Sequence, residues 1–259
     1  DPKAREYIAS VWGVDESEIP GPGLSAFEML QQLGKEIKAL MLVCSNPIVS
    51  SPSVGDVGGY LNDLEFFVAI DMFMSESAEL ADVVLPSTVW IEDNGTTTNV
   101  EGRVIRLKGI DRRPGEVKAD WEIVYEIAER LGRGKFFKYN SPEEIFNELR
   151  VASKGGIADY YGITYEKLDK MQGVFWPCPS EEDEGMPRLF EDKKFNFPDG
   201  KARILAFEHK GPNEKVSEEY PLILSTGRVV YHYLSGNQTR RNDALRNFCP
   251  DPYVEIHQN

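Results

Sequence analysis

Three short apolar runs, each stopping abruptly at a polar or turn-forming residue, constrain this chain more than any other feature. Lys38-Ala-Leu-Met-Leu-Val43 runs into Cys44-Ser45-Asn46-Pro47, Glu65-Phe-Phe-Val-Ala-Ile70 ends at Asp71, and Ala81-Asp-Val-Val-Leu85 ends at Pro86. Runs without polar alternation suit strands covered on both faces, as in a parallel sheet. Alternating with helical connections, they predict an α/β fold built on an open, mostly parallel three-layer sheet.

Helix signals fill the gaps. Ser25-Ala26-Phe27-Glu28 is a capping box, and its amphipathic run ends at Leu33 with Gly34 as the stop. Asp120 is expected to cap a helix over Trp121–Leu131 closed by Gly132, and Ser141-Pro142-Glu143-Glu144 opens another with Pro at the favoured first position. From about Val151 to Asn213 the chain turns to Gly, Pro, Tyr and charged residues, with turn signals at Trp176-Pro-Cys-Pro179 and Phe197-Pro-Asp-Gly200. That stretch reads as an irregular extension of a first domain covering residues 1–215. Tyr220–Ser225 and Tyr253–His257 read as strands of a β-rich unit over residues 216–259, unfinished where the sequence stops.

The balance of 29 basic against 43 acidic side chains, a net charge of −14, disfavours nonspecific binding to nucleic acid or anionic lipid, because the molecular field repels phosphate. No apolar run reaches the roughly 18 residues that a bilayer span requires, so no membrane insertion is expected. Cys44, Cys178 and Cys249 lie far apart, which suggests neither a zinc site nor a disulfide framework and fits a reducing, cytoplasmic setting. The sequence begins Asp1-Pro2-Lys3 without an initiator Met and stops at His257-Gln258-Asn259, so it is expected to be a piece of a longer chain.

Asn46 and Asp71 follow directly on predicted strands, where open α/β sheets bind ligands. A carboxylate there accepts two hydrogen bonds from the N1–H and N2–H₂ edge of guanine, and an Asn side chain both donates and accepts. The plainer alternative is a turn at Asn46-Pro47 and a helix cap at Asp71. Ser225-Thr226-Gly227-Arg228 follows another predicted strand and offers hydroxyls, backbone N–H groups and a guanidinium to phosphate. His232, between Tyr231 and Tyr233, is a candidate base or ligand, or else a packed structural residue. Arg240-Arg241 is an anion clamp or a solvated pair, and Cys44, with no cation beside it in sequence, reads as a buried thiol. Neither a G-x-G-x-x-G nor a G-x-x-x-x-G-K-[ST] loop is present, so a standard dinucleotide or ATP site is not supported.

Taken in order, the motifs Cys44-Ser-Asn-Pro47, Ile70-Asp-Met-Phe-Met-Ser-Glu-Ser77, Ala81-Asp-Val-Val-Leu-Pro86, Gly95-Thr-Thr-Thr-Asn-Val-Glu-Gly-Arg103, Lys118-Ala-Asp-Trp121, Trp176-Pro-Cys-Pro179 and Thr226-Gly-Arg-Val-Val-Tyr-His232 form a series. This series resembles the catalytic subunit of prokaryotic molybdopterin oxidoreductases, in particular formate dehydrogenases and assimilatory and periplasmic nitrate reductases. The resemblance implies a molybdenum or tungsten ion held by two molybdopterin guanine dinucleotides. It further implies guanine contacts at Asn46, Asp71 and Asp120. The start of a C-terminal β-barrel would meet pterin or phosphate at Thr226, Gly227, Arg228 and His232.

The metal-ligating residue and the cysteines for a [4Fe–4S] cluster lie upstream in family members, so no catalytic or metal-ligating residue is assigned in this chain. Formate is the implied small-molecule substrate, with an iron–sulfur subunit as electron partner. Nitrate reduction is the alternative, weakened because Asp93 stands where nitrate reductases commonly have Lys. Asn237-Gln-Thr-Arg240 likewise departs from the Met-Thr-Arg frequent in formate dehydrogenases. A noncatalytic relative such as the large iron–sulfur subunit of respiratory complex I is the third reading.

Overall fold

Residues 2–52, 55–110, 112–212 and 214–257 are described by the structure, a computed structural model. Asp1, Asn213, Gln258 and Asn259, which bear on the expected chain ends and on the close of the extension, lie outside them. The chain divides into two compact units, Asp1–Glu191 and Asp192–Asn259.

The first unit opens with α1 (Pro2–Trp12) and α2 (Ala26–Gln32). Ser25 and Glu28 close the anticipated capping box on α2, and Gly34 takes a positive φ of 74° where the chain turns toward the sheet. There follow β1 (Ala39–Val43), α3 (Pro47–Ser50), α4 (Val57–Asn62), β2 (Phe66–Asp71) and β3 (Val83–Pro86). These three strands pair in parallel in the order β1-β2-β3, with Val43 beside Ile70, and Asp71 beside Pro86. The mixed α/β fold with a parallel sheet thus follows the apolar runs.

Only β2 is buried along nearly its whole length. β1 alternates, turning Leu40 and Leu42 toward a core of Leu33, Val57, Leu61 and Phe67 while exposing Met41 and Val43. The expectation of cover on both faces is therefore corrected for β1: it flanks the sheet, and α2 and α4 supply the core against its inner residues.

A second, antiparallel sheet combines β4 (Gly95–Thr98), β5 (Arg103–Leu107) and the short β6 (Val174–Phe175). Between β5 and β6 the chain forms α5 (Asp120–Arg130), α6 (Pro142–Ser153) and α7 (Tyr165–Met171). Residues beyond 151 are less irregular than their composition suggests. Ile163, Tyr165, Leu168, Val174 and Cys178 join Val104 and Phe146 in one buried cluster. Short elements rich in Gly and Pro are ordered here by what they pack against rather than by local periodicity.

In the second unit α8 (Asp243–Phe248) starts at Asn242, whose side chain accepts from the Leu245 N–H at 3.1 Å. The strands expected at Tyr220–Ser225 and Tyr253–His257 do not appear among the described residues, and Ile223 and Val254 are 78% and 81% exposed. An extended apolar segment becomes a strand only when a neighbour completes its hydrogen-bond ladder. Among the described residues, no helix is long and apolar enough to cross a membrane.

Candidate functional site at the strand ends

The carboxyl ends of the parallel strands gather polar side chains from distant stretches of sequence. Cys44 follows β1, with its N–H donating to the Ile70 carbonyl at 2.8 Å and a φ of 47°, in the left-handed region. It is exposed, so the expectation of a buried thiol is corrected: the strand ends before this residue and the turn carries it outward.

Asn46 is buried, and its carboxamide is engaged on both sides. Oδ1 accepts from the Ser77 N–H at 3.2 Å and the Ser77 hydroxyl at 2.8 Å, while Nδ2 donates to Glu76 Oε2 at 2.7 Å. Asp71, the last residue of β2, is also buried; Oδ1 accepts from the Phe73 N–H at 3.2 Å and Oδ2 from the Ser75 hydroxyl at 3.3 Å. The Met72–Ser77 loop is thus pinned from β2 by Asp71 and from β1 by Asn46. Asn46 has both acceptor lone pairs filled, whereas each Asp71 oxygen keeps accepting capacity.

Asp120 arrives from the far side of β3. Lys118 N–H donates to the Pro86 carbonyl at 3.3 Å and Thr88 N–H to the Lys118 carbonyl at 3.1 Å, laying the approach to α5 along the end of the strand. Asp120 is the first helical residue and not the cap. Ala119 has the extended cap conformation, and its N–H is taken by Glu122 Oε2 at 2.8 Å. Alanine has no side chain to cap with, so only this reverse half of a capping box exists.

Freed from capping, the Asp120 carboxylate faces the strand ends. Cys44 Sγ lies 3.8 Å from Oδ2, and Oδ1 is buried without a hydrogen-bond partner. Burial first, and then the charge of Asp93, push the Asp120 carboxyl above its ordinary range; bonds from Cys44 and Ser87 oppose the rise and Asp71 adds to it. The Cys44 thiol, part of an exposed residue but partly desolvated among these groups, is also pushed up, chiefly by that desolvation and next by Asp120. Asn46, Asp71 and Asp120 therefore stand together at one sheet edge.

Sequence reasoning missed Ser75, Ser77, Ser87 and the Thr88–Asp93 pair. The one available signal for the first two was the Met-Ser-Glu-Ser stretch after β2, whose hydroxyls are suited to local hydrogen bonds.

In the second unit Thr226, Gly227 and Arg228 are exposed. Ser225, Gly227, Arg228, His232 and Arg240 help line a groove of about 1070 Å³. His232 is held at both nitrogens: Nε2 donates to the Cys249 carbonyl at 2.8 Å, leaving Nδ1, 3.2 Å from Thr239 Oγ1, as the acceptor in the neutral ring. Arg240 and Arg241 donate to the Pro250 and Asn237 carbonyls.

Residues 13–130 match the family described as molybdopterin oxidoreductase. The chain is 49% identical over 256 residues to the assimilatory nitrate reductase catalytic subunit of Bacillus subtilis, covering 98% of this chain and 36% of that one. It is 37% identical over 256 residues to the F420-dependent formate dehydrogenase 1 subunit alpha of Methanococcus maripaludis, covering 99% and 37%. Acetylene hydratase from Pelobacter acetylenicus, a solved structure, is similar over 64% of this chain and 23% of its own, at 22% identity and a TM-score of 0.48. The chain spans 36–37% of the length of the two curated relatives. With the family's pattern across residues 13–130 and such similarity along nearly its whole length, the chain belongs to the molybdopterin oxidoreductase family, which implies a molybdopterin cofactor carrying molybdenum or tungsten.

Proposed function

We propose that this chain cradles the nucleotide ends of a bis(molybdopterin guanine dinucleotide) cofactor within a molybdenum or tungsten oxidoreductase. The observation that carries the reading is Asp120 Oδ1, a buried acceptor without a donor, at the sheet edge shared with Asp71. A buried acceptor left unsatisfied is costly, and a guanine edge brings the N–H donors it lacks. The residues fit the group.

In this reading Asp71 and Asp120 accept from the base. Asn46, saturated on its oxygen, orients the Met72–Ser77 loop and retains one N–H to donate. Thr226, Gly227 and Arg228 meet phosphate or pterin, and His232, tied to Thr239 and Cys249, shapes that surface without acting as a base. Residues 216–259 begin the β-barrel of the longer protein, whose further strands complete the ladders at Tyr220–Ser225 and Tyr253–His257. When bound, the cofactor supplies the two-electron chemistry, and the protein supplies binding, orientation and electrostatics.

The whole protein oxidises formate to carbon dioxide and passes electrons to a [4Fe–4S] cluster and an iron–sulfur partner in the cytoplasm; Asp93, in place of the Lys common in nitrate reductases, favours this substrate. The 49% identity to an assimilatory nitrate reductase favours nitrate reduction as the second reading. Turnover of the intact protein with formate and with nitrate separates the two. Pterin content after Asp71→Ala tests the cradle: lost hydrogen bonding to a charged acceptor corresponds to about 1.5–3 kcal/mol of cofactor affinity, and unchanged content refutes the role.

A further inference from the structure

The Asp71 carboxylate is held one oxygen at a time. Its backbone is fixed by the sheet, where the Asp71 carbonyl accepts from the Ser87 N–H at 3.2 Å beside the end of β3. Its side chain is fixed by the loop that follows: Oδ1 accepts from the Phe73 N–H at 3.2 Å and Oδ2 from the Ser75 hydroxyl at 3.3 Å. Backbone thus holds one oxygen, and a single side chain holds the other.

Ser75 is wholly inaccessible, and its own position is set from several directions. Its N–H donates to the Phe73 carbonyl at 2.9 Å, and its carbonyl accepts from the Glu79 N–H at 2.9 Å. Its Oγ accepts from the Ala78 N–H at 3.3 Å, at the start of the short helical turn Ala78–Leu80. A backbone N–H can only donate, so it occupies an oxygen lone pair and leaves the hydroxyl proton for Asp71. Bulk water does not compete for that proton.

A carboxylate offers about four lone-pair sites, two on each oxygen. One on each Asp71 oxygen is taken by the loop, so each oxygen keeps one to give. Two adjacent N–H donors, as on the guanine edge, use both. A base with a single N–H there uses only one.

We propose that Ser75 is a positioning residue that acts through Asp71: by holding Oδ2 while Phe73 holds Oδ1, it sets the carboxylate to receive two adjacent N–H donors at once. The site thereby prefers guanine to hypoxanthine, which lacks the exocyclic amine. This rests on the cradle reading above. Without the Ser75 hydroxyl the carboxylate is pinned at one oxygen and its plane swings about the Cβ–Cγ bond. One donor is still met, but two are not held together.

The test compares binding of GMP and of IMP, the hypoxanthine nucleotide, to the intact protein freed of cofactor, by calorimetry. Wild type prefers GMP on the order of tenfold, as expected for one hydrogen bond to a charged acceptor. Ser75→Ala weakens GMP by about the same factor and leaves IMP unchanged, so the preference disappears. In the Asp71→Asn background, Ser75→Ala makes no further change in the GMP-to-IMP ratio, because no carboxylate remains for the hydroxyl to hold. Ser75→Cys, close in volume and with a weak S–H donor, gives an intermediate preference and carries the comparison where Ser75→Ala does not fold.

Equal weakening of GMP and IMP in Ser75→Ala, as a collapsed loop would give, overturns the role of Ser75 and leaves the cradle standing. So does an unaltered GMP preference in the folded variant, a wild type without that preference, or a change in ratio that persists undiminished in the Asp71→Asn background. If wild type binds neither nucleotide, the cradle reading fails and this proposal fails with it.

Discussion

The Asn46 carboxamide oxygen accepts both the backbone N–H and the hydroxyl of Ser77, 31 residues away, and so ties the end of the first parallel strand to the loop that leaves the second. Both partners are buried, and Ser77 is wholly inaccessible. The loop that follows Asp71 is therefore held by a side chain outside its own strand.

Removing that carboxamide leaves the Ser77 hydroxyl and N–H without this acceptor. Asn46→Ala is expected to cost about 1–3 kcal/mol of stability, read as a lower denaturation midpoint at unchanged denaturant slope. A neutral result would show that the loop holds its shape without Asn46.

Cys44 offers a pH-dependent readout of the same edge. Partial desolvation and the adjacent Asp120 raise its thiol above the ordinary value, so it carries less thiolate near neutral pH and reacts more slowly with iodoacetamide than a cysteine in an unstructured peptide. Its rate keeps climbing into alkaline pH after the peptide cysteine has levelled off. Asp120→Asn removes a negative neighbour and accelerates alkylation, measured by peptide mass spectrometry at Cys44; an unaltered rate would contradict the contact.

Tyr165 is buried in the second core, its ring tilted 40° against that of Phe146 and lying beneath the Arg106 guanidinium, with its hydroxyl unpartnered. Tyr165→Phe keeps the ring and deletes an unsatisfied polar atom. It is expected to be neutral or stabilising by about 1 kcal/mol, and a loss of thermal stability would reveal a partner for the hydroxyl.

Gly162 packs directly against the chain after β6, with its N–H donating to the Cys178 carbonyl at 2.6 Å, and a Cβ there would collide with the Ser180 carbonyl. Backbone cannot swing aside as a flexible side chain does. Gly162→Ala is expected to destabilise the first unit by about 1–3 kcal/mol, visible as faster proteolysis and a lower melting temperature.

Strand and helix signals were legible because they are local. The apolar runs at Ala39–Val43 and Phe66–Asp71, the Ser25 capping box and Pro142 at a helix start depend on residues a few positions apart. Placement of Asn46 and Asp71 at strand ends followed from the same runs. Where the next partner was distant, local pattern failed. β5 and β6 lie about 70 residues apart yet share a ladder, and Cys178 belongs to a core that its Pro-rich surroundings do not announce.

By itself the sequence determined where the parallel strands start and stop, which polar residues follow them, and the family to which the ordered motifs belong. Tertiary structure decided which of those polar groups remain free. Asn46 is consumed by Ser77 and Glu76, His232 by Thr239 and Cys249, while Asp120 is released because Ala119 and Glu122 take over the start of its helix. The reason is physical: a side chain's type sets how many hydrogen bonds it can make, but only its neighbours in space decide which of them are already made.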